Sequence, residues 1–254
     1  LLLGQEFTPS WLCDAMAQRL LADLSDDAPP RFVDMCCGSG AMLVSVTRQY
    51  ADVMLAEGMT KGDPAALDRL LDSATGFDID PLAVLLAKVN WVVANRDWFS
   101  PGDAVSIPVY HADSLFTGVP FAHGTGGGND VRLSLRDGVD VTLPVFLIEP
   151  NRRQLFDDLL RRAYALARAA EGLELDLGAA SRSAAAALSG SDLDAQDMAS
   201  VTDYFKQLVA GLHELQAAGL NGLWAFILRN SYRPALVAGR FNGLIANPPW
   251  LTLS

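Results

Sequence analysis

Arg31-Phe32-Val33-Asp34-Met35-Cys36-Cys37-Gly38-Ser39-Gly40 is the stretch on which the fold turns. Its first half is apolar and β-favouring and ends at a carboxylate, and its second half is a run of small residues closed by two glycines. From Ala41 to about Glu57 the apolar residues recur at helical spacing, so the segment reads as strand, tight turn and helix. Upstream, Thr8-Pro9 reads as an N-cap and a proline at the first helical position, opening a helix to about Leu24, with a polar break over Ser25 to Pro30. Downstream, Pro64 to Ser73 reads as a short helix and Thr75 to Ile79 as a second strand. Asp80-Pro81 opens an apolar helix to about Asn95, with Asp80 as its N-cap, and Ile107 to His111 is a third strand. Strands that alternate with helices predict an α/β fold with a parallel, doubly wound sheet.

Beyond Ser114 that rhythm stops for well over a hundred residues. Val131 to Leu135 and Val139 to Leu143 alternate cleanly around Asp137-Gly138, which predicts a hairpin. Helices are expected from about Asn151 to Glu171 and from Met198 to Arg229 with a break near Gly219 to Gly222, and Gly178 to Asp197 reads as a weak helix or a linker. Residues 117–240 are therefore expected to be an insertion, mostly helical with a hairpin at about 131–143. Residues 1–116 form the first part of the main domain, and residues 241–254 hold a fourth core strand and the loop after it.

At 254 residues, 50% hydrophobic and 19% charged, the chain can bury a substantial core. It has no run of about 18 apolar residues, and Leu1-Leu2-Leu3 is too short for a signal or a span, so a soluble protein without a membrane partner is expected. Cys13, Cys36 and Cys37 form neither a disulfide framework nor a metal-ligand pattern, and His111, His123 and His213 are scattered singly. That usage suits a reducing cytoplasm and no metal. The net charge of −11 argues against a nucleic-acid surface, and Arg152-Arg153 and Arg161-Arg162 share a helix with Asp157 and Asp158, as a solvated face would. The absence of an initial Met, and an end four residues after Trp250, lead to the expectation of an excerpt lacking the sheet's C-terminal strands.

Four positions carry candidate chemistry. The Gly38-Ser39-Gly40 turn lets a ligand approach the backbone, although it lacks the third glycine of the dinucleotide fingerprint. Asp78 stands where a ribose-binding carboxylate is expected, about 38 residues after the turn rather than the usual ~20. Asp113 ends the third strand, as a turn residue or as an acceptor for an amino group. Asn247-Pro248-Pro249-Trp250 follows the apolar run Phe241 to Ala246. A conjugated exocyclic amine is a poor nucleophile, and two acceptors on its N–H bonds would draw the nitrogen towards tetrahedral geometry. The Asn247 side-chain carbonyl and the Pro248 main-chain carbonyl can supply them on a proline-stiffened loop, with Trp250 as a stacking face. Asn-Pro-Pro is equally ordinary turn chemistry.

Taken together, Gly4-Gln5-Glu6-Phe7-Thr8-Pro9, Asp34 to Gly40, Gly76-Phe77-Asp78-Ile79-Asp80-Pro81, His111-Ala112-Asp113-Ser114-Leu115-Phe116 and Asn247-Pro248-Pro249-Trp250 resemble, in content and order, S-adenosylmethionine-dependent N6-adenine DNA methyltransferases. The order resembles the gamma-type enzymes, among them modification subunits of type I systems and fused restriction-modification or phage-defence enzymes. The resemblance covers residues 1–116 and 241–254 and is silent on the insertion. It implies a Rossmann-like class I methyltransferase fold and S-adenosyl-L-methionine as cofactor. The implied substrate is double-stranded DNA with a flipped adenine, and specificity or nuclease modules are implied partners.

By that resemblance Phe7, Thr8 and Pro9 close over the donor, and Asp34, Cys36, Gly38 and Gly40 hold its methionine portion. Asp78 takes the ribose hydroxyls, Ile79 lies against the adenine ring, and Asp113 with Ser114 or Leu115 binds that ring's edge. Asn247, Pro248, Pro249 and Trp250 form the catalytic loop. Met35 departs from the proline usual in the glycine-rich motif, Cys36 from a small residue, and Trp250 from the commoner Tyr or Phe. Two other outcomes stay open: a methyltransferase of a protein glutamine amide or RNA guanine, and a methyltransferase-like module that binds without turning over.

Overall fold

The computed structural model describes residues 8–24, 28–103, 105–114, 121–122, 130–136, 139–219, 230 and 233–248. The chain divides into two compact units, residues 1–117 with 237–254, and residues 118–236. In the first, helix α1 (Ser10–Ala22) precedes strand β1 (Phe32–Asp34), and α2 (Ala41–Ala56) follows the glycine turn. Helix α3 (Pro64–Asp72), β2 (Ala74–Asp78), α4 (Pro81–Ala94) and β3 (Val109–His111) complete the alternation. Both Asp63 and Asp80 cap their helices, accepting the N–H of Ala65 and Leu82 ahead of a proline at the first helical position.

The apolar run of α4 does not by itself reveal its buried face. Ala83, Val84, Ala87 and Trp91 are buried, whereas Leu82, Leu85, Leu86, Val89 and Val93 lie exposed. Close approach sets this face at Ala87, since a Cβ at Gly40 would stand 3.0 Å from the Ala87 Cβ; on α2, a Cβ at Gly76 would stand 2.5 Å from Leu43 Cδ1. The core here joins Phe32, Leu43, Val46, Met54, Leu70 and Trp91. A smaller cluster holds Val33, Phe77, Tyr110 and Ala112, with Phe77 and Tyr110 ring centroids 5.9 Å apart.

The second unit pairs a sheet with helices. Strands β4 (Phe121–Ala122), β5 (Asp130–Arg136) and β6 (Val139–Pro144) form an antiparallel sheet in that order. The turn at Asp137-Gly138 lies outside the described residues, and β4 has no counterpart in the sequence reading. Helices α5 (Arg153–Ala169), α6 (Leu177–Leu188) and α7 (Ala195–Ala217) pack with this sheet around Leu133, Val141, Phe156, Leu160, Ala184, Phe205 and Leu208. The stretch 178–197 is thus largely helical, because Ala180, Ala184 and Leu188 bury one face. Gln207 Oε1 accepts the Thr142 N–H at 2.8 Å, occupying an amide of the sheet edge from α7.

A fully buried ion pair joins Arg233, in the short helix α8 (Arg233–Leu236), to Asp157, and the Arg233 guanidinium lies 4.8 Å from the Phe156 ring centroid. On α5 and its approach, Arg152 pairs with Asp192, and both Arg161 and Arg162 pair with Asp158.

Back in the first unit, β7 (Gly243–Leu244) pairs in parallel with β1, giving a four-stranded sheet of order β3-β2-β1-β7 with every pairing parallel. The strand is shorter than the run 241–246 suggests and only partly buried, with Leu244 exposed and Ile245 buried. The Asn242 N–H to Arg31 carbonyl bond and the Ile245 N–H to Val33 carbonyl bond extend its alignment with β1. A cradle of Asn242 side-chain bonds to the Arg31 N–H and the Pro29 carbonyl, 2.8 and 2.9 Å, anchors its start. This is the α/β, Rossmann-like arrangement. Its strand order reverses between β1 and β7, the position where open parallel sheets bind ligands at their carboxyl ends.

Candidate active site

Four strand ends meet at that edge. β1 ends at Asp34, β2 at Asp78 and β3 at His111, and the chain after β7 runs through Ile245 and Ala246 to Asn247. Parallel register sets Asp34 opposite Gly76 and Asp78 opposite His111, so the residues that follow each strand emerge on the same side of the sheet.

Two left-handed glycines shape the turn after β1. Gly38 has φ +51° and Gly40 φ +84°, conformations open to glycine at little steric cost. The Gly40 N–H bonds to the Cys37 carbonyl at 2.8 Å, and Gly40 then serves as N-cap of α2 without a capping side chain. A Cβ at Gly38 would meet no atom within 4 Å, so space beside this glycine is open to a ligand. Asn90 Nδ2 donates to the Ser39 carbonyl at 3.0 Å and holds the turn from α4. Its only sequence signal is that it is an amide in an apolar helix.

The two carboxylates differ in environment. Asp34 is 2% exposed, and its Oδ1 accepts the Cys36 N–H at 3.1 Å. Burial first pushes its carboxyl up, the Cys36 N–H opposes this, and the Asp78 charge adds to the rise, so that it titrates at about 7. Asp78 bridges two backbone groups, accepting the Gly38 N–H on Oδ2 and the Asp80 N–H on Oδ1, each at 2.8 Å. Its carboxylate therefore ties the glycine turn of β1 to the start of α4. The thiols beside them are pushed up by burial and then by Asp34 and Asp78, Cys36 to about 11 and Cys37 further, so both stay largely protonated at neutral pH.

Ile79 follows Asp78 and is 65% exposed, an apolar side chain presented at the carboxyl end of the sheet. Its carbonyl lies 2.9 Å from His111 Nε2. The Ala112 N–H bonds to the Asp78 carbonyl, which brings exposed Asp113 next to the end of β2. Ser114 Oγ donates to the Met35 carbonyl at 2.7 Å and clips the end of β3 to that of β1.

Thr8 is a correction. Its expected place as N-cap of α1 is taken by Pro9, with φ −58° and ψ 142° and no side-chain cap, while the Pro9 carbonyl accepts the N–H groups of Leu12 and Cys13. The physical reason is a competing partner 239 residues away: Thr8 Oγ1 accepts Asn247 Nδ2 at 3.0 Å. The Asn247 main-chain N–H is directed at the Cys36 sulfur. Asn247 is half-buried and Pro248 exposed. Phe7, Leu115, Pro249 and Trp250 lie outside the described residues.

Asp34, the glycine turn, Asp78, Ile79, Asp113, Ser114, Thr8, Pro9 and Asn247 thus all belong to the first unit and gather at, or are tied to, one sheet edge. Among the described residues no group of three His, Cys, Asp or Glu side chains could hold a metal, and no helix is long and apolar enough to cross a membrane.

Residues 2–117 match the family model of N-6 DNA methylase. No curated protein matches the chain.

Proposed function

We propose, from the match of residues 2–117 to the family model of N-6 DNA methylase, that the protein transfers a methyl group from S-adenosylmethionine to the N6 amine of an adenine flipped out of duplex DNA. The observation that carries this reading is the position of Asn247, whose amide nitrogen bonds Thr8 while its loop leaves the sheet at the edge shared by Asp34, Gly38 and Asp78.

The donor's chemistry fits these residues. Its cationic ammonium suits the Asp34 carboxyl, whose burial makes a positive partner favourable, and its ribose suits the outer lone pairs of Asp78. The open space beside Gly38 admits its methionine portion, and exposed Ile79 offers an apolar surface to its adenine, with Asp113 to accept that ring's amino group. When bound, the donor supplies an electrophilic methyl carbon on a sulfonium centre.

The chain's own part is to prepare the amine. Asn247 Oδ1 and the Pro248 carbonyl accept its two N–H bonds, which weakens conjugation with the ring and directs the nitrogen lone pair at the incoming carbon. Trp250 stacks on the base and Pro249 stiffens the loop. Phe7, Thr8 and Pro9 cover the donor.

With a net charge of −11 and Arg152, Arg161 and Arg162 paired with aspartates, phosphate contacts fall to a partner specificity module, in a restriction-modification or phage-defence setting inside the cell. Incubation with methyl-labelled donor and duplex DNA, RNA or a ribosomal protein fraction tests the assignment. Label is expected in DNA as N6-methyladenine. Label confined to a protein glutamine or to RNA guanine overturns it in favour of those substrates, and absence of donor binding in calorimetry leaves a non-catalytic module.

A further inference from the structure

Asn247 can serve an amine only if its carboxamide presents oxygen. Rotation by half a turn about the terminal torsion presents the NH2 group instead, which would oppose the N–H bonds it has to accept. Nothing in Asn-Pro-Pro-Trp selects between these two orientations. The structure holds one of them: Thr8 Oγ1 accepts from Asn247 Nδ2 at 3.0 Å, so Oδ1 faces away from Thr8. The main chain of the same residue is held separately, its N–H directed at Cys36 in the glycine-rich turn. Thr8 is itself anchored, since it precedes the Pro9 N-cap of α1 and its carbonyl accepts the Cys13 thiol at 3.8 Å.

We propose that Thr8 is a positioning residue for the methyl-transfer step: its hydroxyl holds the Asn247 side-chain nitrogen so that the Asn247 oxygen is presented to the target amine. This rests on the amine-methylating reading of the site and adds to it a role exerted through Asn247, distinct from closing over the donor. A hydroxyl accepts from Nδ2 whereas an isosteric methyl cannot, so the role separates Thr8→Val from Thr8→Ser.

The test measures kcat at saturating donor and DNA, the donor Kd by calorimetry, and the side-chain amide resonance of Asn247, assigned by its loss in Asn247→Asp. In Thr8→Val kcat is expected to fall about 10- to 100-fold, the range seen when a group supporting a functional side chain is removed. The donor Kd is expected to stay within about threefold, and the Asn247 amide protons to shift and exchange faster with water. Thr8→Ser is expected to restore both kcat and the resonance. An unchanged kcat in Thr8→Val, a loss seen entirely in donor Kd, or equal losses in the Val and Ser variants overturns the proposal. If the unsubstituted protein methylates no DNA, the functional reading fails on its own. The amide resonance then still decides whether Thr8 orients Asn247: no change in Thr8→Val sinks that claim independently of activity.

Discussion

Asp78 Oδ2 accepts the Gly38 N–H at 2.8 Å, so a carboxylate on one strand sets the backbone of the glycine turn that follows its neighbour, 40 residues earlier. Asp78 thereby has two effects, one on a ligand and one on the turn. In Asp78→Ala the donor Kd is expected to rise by about 10- to 100-fold, from the loss of a ribose partner and a loosened turn. Asp78→Asn, which keeps an acceptor, should fall between Ala and the parent. Asn247→Ala should instead abolish transfer while sparing donor affinity. Calorimetry with each variant measures the division, and equal losses of donor affinity at 78 and 247 would refute it.

Asp34 makes stability and donor binding depend on pH. Its folded carboxyl titrates at about 7 against a reference of 3.8, so between those values the folded chain keeps a proton that the unfolded chain has released. The associated stability is present at low pH and is lost as pH rises through about 7. Asp34→Asn should therefore stabilise the protein at pH 8, on the order of 2 kcal/mol, and leave it little changed near pH 4. Urea denaturation at the two pH values checks this. Binding of the donor's ammonium should favour the ionised carboxylate and release a proton near pH 7, which calorimetry in two buffers of different ionisation enthalpy would register. Asp34→Asn should abolish that release.

The cysteines should be slow to react. With Cys36 raised to about 11 by burial and the two nearby carboxylates, its thiolate fraction at neutral pH is about 100-fold below that of an ordinary cysteine. Iodoacetamide modification followed by mass spectrometry should be correspondingly slow at pH 7.5 and still accelerating at pH 10. Rapid labelling at neutral pH would contradict the buried, acid-flanked setting.

Gly40 and Gly38 separate backbone strain from collision. Both have positive φ, but an alanine at 40 would also press on Ala87 at 3.0 Å, while one at 38 meets nothing within 4 Å. Gly38→Ala is expected to lower stability by roughly 1 kcal/mol and Gly40→Ala by roughly 2–3 kcal/mol. Denaturant midpoints give the comparison. Gly38→Ala should also weaken donor binding, because its methyl occupies the open space.

In the second unit, Asp157→Ala would leave the Arg233 guanidinium buried without its carboxylate. The expected loss is about 3–5 kcal/mol in unfolding free energy. A change under about 1 kcal/mol in urea denaturation would show that the pair is dispensable.

The strand-and-helix rhythm of the first hundred residues was readable because each boundary is local chemistry: glycines at φ +51° and +84°, and Asp63 and Asp80 capping helices before a proline. The hairpin strands were readable for the same reason, since alternation is a property of consecutive residues. The face of α4 was not. Almost every side chain along it is apolar, and the choice of Ala87 over Leu85 for burial comes from the space that Gly40 leaves. The two-residue β4 was equally invisible, because its strand state depends on pairing with Leu133 and Arg132.

The sequence by itself determined which residues could bear the chemistry, since residue type and order along the chain decide which groups are acceptors, carboxylates or turns. Tertiary structure decided how they act on one another. It made Asp34 a carboxyl titrating near 7 by burying it, and gave Asp78 a backbone partner in another turn. It also took Thr8 away from the helix cap its neighbours suggested and set it against Asn247. Hydrogen-bond partners 40 and 239 residues apart have no local signature, because the parallel register of β1 and β2 brings the first pair together, and the packing of α1 beside β7 the second.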